Sequence, residues 1–351
     1  MLKRKITRKV SAGEVVIGAG APIAVQSMTK TPTTDIDATL SQIAALAEAG
    51  CDIIRIAVPT RKDTDALKMI VERSSLPVVA DIHFSADRAI EAIEAGACKI
   101  RINPGNIRNA GDIERIISCA SANGTAIRAG INEASIRDLH EDTPESRRVE
   151  LMVAEMSSYV QNFERLGFEN LVLSAKSADV VRTILVNRAF SERFDYPIHI
   201  GLTHAGLPED AIVPSAVAIG ALLAEGIGDT VRVSMAGEPT AEIEAAHKIL
   251  AALGLYDDKH PKVIVCPTCG RCMVDVVKLA GEVKAAVAHI RKPLQIAVMG
   301  CVVNGPGEAA DADVAVCAGN GKGFIYARGR KKAAVEETAI LRALLAEIEA
   351  L

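Results

Sequence analysis

The feature that most constrains this chain is a repeated unit. A short β-rich run is followed by a longer amphipathic run, a glycine and the next β-rich run. Strand candidates begin near Pro22, Asp52, Pro77, Cys98, Thr125, Asn170, Ile198 and Thr230, eight in all. After the first of them, Ile36, Leu40, Ile43 and Leu46 recur at helical spacing, with Thr34 and Asp37 as a capping-box start and Gly50 as the stop. The helix, glycine, strand order returns at Gly96, Gly124, Gly167 and Gly226. Eight β/α units in about 250 residues match a closed (β/α)8 TIM barrel in number and size. An open doubly wound sheet is the rival, and the absence of GxGxxG after the first strand counts against it. Aromatic residues make up 3% of the chain and Trp is absent, so the core must come from Ala, Ile, Val and Leu, a mix suited to parallel strands covered by helices on both faces.

The glycine- and alanine-rich stretch from Ser11 to Ala21 is expected to form a short hairpin under the barrel floor. The repeat stops at Leu253-Gly254, which predicts a barrel over residues 1–255, a polar linker over 256–261 and a small α/β domain over 262–351. A formal charge of −4 argues against a general nucleic-acid surface, so any anion site must be built locally. The basic start Met1-Leu2-Lys3-Arg4-Lys5 is not followed by a signal-like apolar run, and no apolar run reaches membrane-spanning length. A soluble, cytoplasmic protein is expected.

Four barrel strands carry arginine between apolar neighbours: Ile54-Arg55-Ile56, Ile100-Arg101-Ile102, Ile127-Arg128-Ala129 and Val231-Arg232-Val233. Such an arginine points into the lumen or against the helices, and an unpaired charge is costly in either place. Further polar residues cluster where strands should end: Gln26-Ser27, Asp81 with His83, Asn103, Asn132, Ser174 with Lys176, Thr203-His204 and Ser234. Barrel enzymes bind substrate at that rim. An internal network with Asp81, Glu225 or Asp229 is one reading of the arginines. The other is a pocket for a multiply charged anion such as a diphosphate, whose oxygens suit the guanidinium fork. Arg101-Ile102-Asn103-Pro104-Gly105-Asn106 adds backbone amides to that pocket.

Of eight cysteines, Cys51, Cys98 and Cys119 stand singly in apolar stretches and read as small buried hydrophobes. Beyond residue 265, Cys266-Pro267-Thr268-Cys269-Gly270-Arg271-Cys272 follows one strand candidate, and Cys301 to Glu308 follows another. Cys317 reads as packing. A structural zinc site has the right ligand count, and a redox dithiol would normally follow a thioredoxin-like unit. An iron–sulfur cluster is favoured by the ferredoxin-like spacing and the glycine-rich loop. A metal-binding protein whose barrel is only a scaffold leaves the strand arginines unexplained.

Cys266-Pro267-Thr268-Cys269 together with Gly300-Cys301-Val302-Val303-Asn304-Gly305-Pro306-Gly307-Glu308 resembles the 4-hydroxy-3-methylbut-2-enyl diphosphate synthase family of the non-mevalonate isoprenoid pathway, in its short bacterial form. Ala24 to Thr29, Ala80 to Phe84, Arg101 to Ile107, Glu225 to Thr230 and Arg232 to Ser234 resemble its signatures too, so the likeness spans nearly the whole chain. The resemblance implies reductive ring opening of 2-C-methyl-erythritol 2,4-cyclodiphosphate by an iron–sulfur oxidoreductase, with a flavodoxin or ferredoxin as electron donor. It implies a [4Fe–4S] cluster on Cys266, Cys269, Cys301 and Glu308, the carboxylate being the more exchangeable ligand. It also implies a diphosphate clamp that includes Arg55, Arg101, Arg128 and Lys176. Two positions depart from the family: His204 stands where a glutamate is usual, so a histidine is expected in proton transfer, and Cys272 is an added thiol.

A head-to-tail homodimer is expected as well. In such a barrel the last helix returns the chain to the face opposite the substrate rim. Roughly seven linker residues span about 25 Å at full stretch, barely the height of a barrel, so a two-fold partner is better placed to bring its cluster over each pocket.

Overall fold

The computed structural model describes residues 3–351 except 108, 137, 138, 141, 204 and 205, and of residues 110 and 146 only the backbone. The chain divides into two compact units, Met1–Tyr256 and Asp257–Leu351.

The first unit opens with an antiparallel hairpin, β1 (Val10–Ala12) and β2 (Val15–Ile17). Eight strands follow: β3 (Ala24–Met28), β4 (Ile53–Ala57), β5 (Val78–Asp81), β6 (Lys99–Ile102), β7 (Ala126–Asn132), β8 (Leu171–Lys176), β9 (His199–Ile200) and β10 (Thr230–Val231). Their pairing is parallel throughout, in the order β8-β7-β6-β5-β4-β3-β10-β9. A parallel bridge between Leu173 and Ile198 ties β8 to the residue before β9 and completes the ring. Gly50, Gly96, Gly124, Gly167 and Gly226 all sit at positive φ between a helix and the next strand. One detail differs from the expectation: the helix Ile36–Glu48 is capped by Asp35, whose carboxylate accepts from the Ala38 N–H, and not by a Thr34–Asp37 box. Asp35 immediately precedes the helix, where a short acceptor reaches the third N–H directly.

Strand alternation sorts the side chains. Ile54, Ile56, Ile100, Ile102, Ile127 and Leu173 pack outward in the core beneath the helices. Ala24, Ile53, Val79, Ala126 and Val172 form a separate inner cluster with Val10, Ala12 and Ile17 of the hairpin, which plugs the floor. Two residues further along their strands stand Gln26, Arg55, Asp81, Arg128 and Ser174, so these must point into the lumen above the plug.

The second unit is a five-stranded sheet in sequence order: β11 (Lys262–Val265), β12 (Gln295–Met299), β13 (Val314–Gly319), β14 (Lys322–Ala327) and β15 (Arg330–Glu336). The first three are parallel and the last two antiparallel. Helices Val276–Val287 and Ile340–Glu349 cover one face through Val283, Val287, Ile340 and Leu344. Ala297, Met299, Ala315 and Cys317 pack on the other. Among the described residues, no helix is long and apolar enough to cross a membrane.

Candidate functional site

A cavity of about 200 Å³ opens at the C-terminal ends of the barrel strands, lined by Met28, Arg55, Asp81, His83, Arg101, Arg128, Asn132, Ser174, Lys176, Leu202, Thr203, Arg232 and Ser234. Asp81 is the one carboxylate among these. It lies 3.7 Å from Arg55 Nε, 3.5 Å from Arg101 Nη1 and 3.5 Å from His83 Nε2. Burial opposes its charge, but Arg55, His83 and Arg101 together hold its carboxyl well below the usual carboxylate range. Arg101 also donates to the Gly130 carbonyl at 3.3 Å. A Cβ on Gly130 would lie 3.1 Å from Arg101 Nε, and one on Gly201 would lie 2.8 Å from Lys176 Nζ, so both glycines make room for cations.

The other cations are poorly neutralised. Burial, helped by Arg232 and Arg101, pushes Arg55 down to about 10 despite Asp81. Arg128 is 1% exposed and its Nε has no hydrogen-bond partner. Burial and the neighbouring cations push both Arg128 and Lys176 well below their ordinary values. Arg232 is the exception. It binds both oxygens of Glu242, at 3.2 and 3.3 Å, and Glu242 also accepts from Ser27 Oγ at 3.0 Å and pairs with Lys30 Nζ at 3.3 Å. Glu225 pairs instead with Arg188, and Asp229 with Arg4, so neither neutralises the lumen.

Asn103 stands beside the cavity, not among its lining residues. Its side chain accepts from the Gly105 N–H at 3.2 Å and donates to Ser135 Oγ at 2.8 Å, which fixes the loop after β6. His204 lies outside the described residues. Sequence reasoning missed Glu242, Lys30 and Met28, whose sulfur accepts from Arg55 at 3.0 Å. Glu242 had a signal: it is an acid beside Ile243 on the buried stripe of the helix Pro239–Ala252, in the first turn, which a β/α unit places at the rim.

In the second unit, the parallel pairing of Val265 with Val298 puts Cys266 and Gly300 side by side, and the Gly300 N–H donates to Cys266 Sγ at 3.3 Å. Backbone N–H groups of Asn304, Val303 and Gly305 lower the Cys301 thiol below its ordinary value. Cys272 Sγ accepts from the Cys269 N–H at 3.5 Å and would lie 2.6 Å from a Cβ on Gly300. Cys269 is exposed, and Glu308 is exposed at the end of the short helix Gly305–Glu308. Cys317 is fully buried within β13, and burial pushes its thiol up to about 11, as packing requires. Among the described residues, no three Cys, His, Asp or Glu side chains are grouped closely enough to hold a metal ion. The donor set nevertheless suits a thiolate-bound metal group, with soft sulfurs on adjacent strand ends and amide N–H groups aimed at them.

Fold and site together define a (β/α)8 barrel enzyme with a cationic pocket and an appended thiol-bearing domain. The chain belongs to the GcpE family: residues 7–247 match the GcpE TIM-barrel domain and residues 262–350 the GcpE protein C-terminal domain. A protein of Caldanaerobacter subterraneus subsp. tengcongensis is 45% identical over 346 residues, covering 99% of this chain and 97% of that one. One from Aquifex aeolicus is 43% identical over 350 residues, covering 99% and 98%. Both are named 4-hydroxy-3-methylbut-2-en-1-yl diphosphate synthase (flavodoxin). Dihydropteroate synthases of Coxiella burnetii (TM-score 0.51, 13% identity, 72% of this chain and 100% of that one) and Stenotrophomonas maltophilia (0.52, 17%, 71% and 98%) share the barrel fold alone.

Proposed function

We propose that this chain catalyses the reductive ring opening and dehydroxylation of 2-C-methyl-D-erythritol 2,4-cyclodiphosphate to 4-hydroxy-3-methylbut-2-enyl diphosphate, as its relatives' names indicate. The observation that carries the reading is the charge imbalance of the lumen: Arg55, Arg101, Arg128 and Lys176 line one small cavity in which Asp81 is the only carboxylate among the described lining residues. A cyclic diphosphate supplies the missing negative charge and enough oxygens to engage all four. Asp81 preorganises Arg55 and Arg101 for it, and Ser174, Asn132 and Ser234 offer neutral hydrogen bonds around the ring. His204 is assigned the proton-transfer role.

A [4Fe–4S] cluster on Cys266, Cys269, Cys301 and Glu308 would relay two electrons from the donor, one at a time, and supply a Lewis-acidic iron. Flavodoxin is the electron donor this reading favours, since the relatives' names include it. The conversion consumes two electrons and two protons in all: a ring C–O bond to the diphosphate breaks, the hydroxyl on the neighbouring ring carbon leaves as water, and a C=C bond forms between those two carbons. The chain acts as a homodimer in which one protomer's barrel works with its partner's cluster domain. The support is that the barrel's last helix, Pro239–Ala252, runs away from the rim and leaves residues 257–261 before β11.

Anaerobic incubation of the brown, reconstituted protein with the cyclodiphosphate and a chemical reductant should yield the allylic diphosphate; cluster-loaded protein that binds the substrate without turnover overturns the assignment. Mixing Arg101→Met with Cys301→Ala chains tests the shared sites. A heterodimer should recover part of the activity, and a verified heterodimer without recovery contradicts them.

A further inference from the structure

In register with the floor residues Val79 and Ala126, and beneath the cationic cavity, stands a buried polar side chain that the reaction does not use. Lys99 stands two residues before Arg101 on β6, is 0% exposed, and its Nζ has no hydrogen-bond partner. Both amide atoms of Gln26 and Nε2 of His199 are likewise buried without partners, while His199 Nδ1 meets Thr230 Oγ1 at 2.8 Å.

Among the described residues, the titratable groups around Lys99 are cations, groups whose charged form burial disfavours, or carboxylates already committed. Arg101 lies on its own strand and Cys98 just before it, and burial pushes the Cys98 thiol up to about 11. From β4 comes Arg55 and from β7 Arg128; from β8 and β9 come Lys176 and His199, both pushed well below their ordinary values by burial and then by Arg128. The carboxylate of Asp81 on β5 is taken by Arg55, Arg101 and His83. Glu242 is taken by Arg232 and Lys30. An ammonium here would be desolvated, unbonded and surrounded by like charge, whereas a neutral amine carries only the smaller cost of an unmet polar group. Burial, with Arg128 next, lowers Lys99 to about 7.

We propose that Lys99 is uncharged while the pocket above it holds no anion and takes up a proton when a diphosphate binds there, so that substrate binding is coupled to proton uptake. The proposal rests on the diphosphate reading of the cavity. Each phosphorus of the cyclodiphosphate carries a single strongly acidic oxygen, so the ligand's own charge stays constant near neutrality and the proton must be taken by the protein. The sign follows from linkage. Where Lys99 is neutral in the free protein and charged in the complex, affinity falls as pH rises, by up to about tenfold per unit. The coupling vanishes below the free-state value.

Calorimetric titration of the oxidised holoenzyme with the cyclodiphosphate at about pH 8, in buffers of different ionisation heat, reads the coupling directly. Wild type should take up close to one proton per chain, and Lys99→Met should lose that uptake and the matching pH slope of the affinity. Saturable binding without uptake, or uptake unchanged in Lys99→Met, overturns the proposal. Lys176, whose charged form burial also disfavours, remains in both proteins, so the uptake that Lys99→Met removes is the part that belongs to Lys99. An NMR titration of 13C-lysine-labelled protein keeps the test independent of that variant's folding, with Lys99→Arg as a second means of assigning the resonance. The Lys99 signal should report a neutral amine at about pH 8 without ligand and a charged one with it, and a charged amine in the free protein refutes the idea. If the cyclodiphosphate does not bind at all, the functional reading fails, while the free-state signal still decides the charge of Lys99.

Discussion

The barrel pocket and the cysteine site are assembled in different ways. In the barrel, Arg55, Asp81, Arg101 and Arg128 are set by strand register: Asp81 pairs with Arg101 across β5 and β6, and Arg101 with Arg128 across β6 and β7. The backbone ladder holds these charges together although most of them repel. In the second unit, the strands bring Cys266 and Cys301 to neighbouring ends, but Cys269 and Glu308 remain exposed on the segments that follow, and among the described residues no three ligands are grouped. One site is preorganised before its ligand arrives; the other needs its ligand to finish it.

The sharpest way to break this comparison is Cys301→Ala. It should abolish iron binding and turnover, while calorimetry shows cyclodiphosphate affinity within about twofold of wild type, because the barrel's own cations hold the diphosphate. A parallel loss of anion binding would mean that the cluster carries part of the binding.

Asp81→Asn comes next. Leaving Arg55 and Arg101 buried without their carboxylate should cost about 3–5 kcal/mol of stability at neutral pH. Because Asp81 is held below its ordinary value, its stabilisation is present above the unfolded value of about 3.9 and lost as pH falls toward the lower folded one. Wild-type and variant melting temperatures should therefore converge in acid; a constant difference down to about pH 2 would rule out the ion pairs as its cause.

Arg128→Met should act in the opposite sense. Affinity for the cyclodiphosphate should fall by about 2–4 kcal/mol, roughly thirty- to several-hundred-fold, while the melting temperature stays level or rises, since among the described residues no carboxylate forms an ion pair with Arg128, whose Nε has no hydrogen-bond partner. Lost stability with unaltered binding would favour the internal-network reading.

The smallest effect is expected of Cys272→Ser, which should keep its cluster with the absorption of four irons, whereas Glu308→Ala should not. The reverse result would make Cys272 the fourth ligand.

The eight strands were legible because parity and β-branched neighbours mark them within two residues, whereas the same alternation put Arg55, Arg101 and Arg128 on one strand face without saying whether it was the lumen or the helical side, which the floor cluster beneath them decides. Lys99 obeys that rule too and was passed over, because a lysine at a strand start reads as a solvated flank until the floor hairpin is seen to bury it. Glu242 was not legible as a partner of Arg232. Their contact depends on how the helix Pro239–Ala252 packs against β3, and Ser27 and Lys30 join it from more than 200 residues away, a coincidence that local pattern does not encode.

The floor hairpin also orders events during synthesis. Val10 to Ile17 leaves the ribosome before the eight barrel strands, yet the wall it seals includes Ala126 and Val172, and the arm before it bonds to backbone made later still, Lys5 to Gly226 and Arg8 to Asp195. For most of translation the nascent chain therefore carries an apolar hairpin with nothing to close against. Such long-range pairings are slow to form and leave a sticky intermediate exposed. A segment made before every barrel strand is thus among the last to dock, and its apolar face stays uncovered until the wall around it is complete.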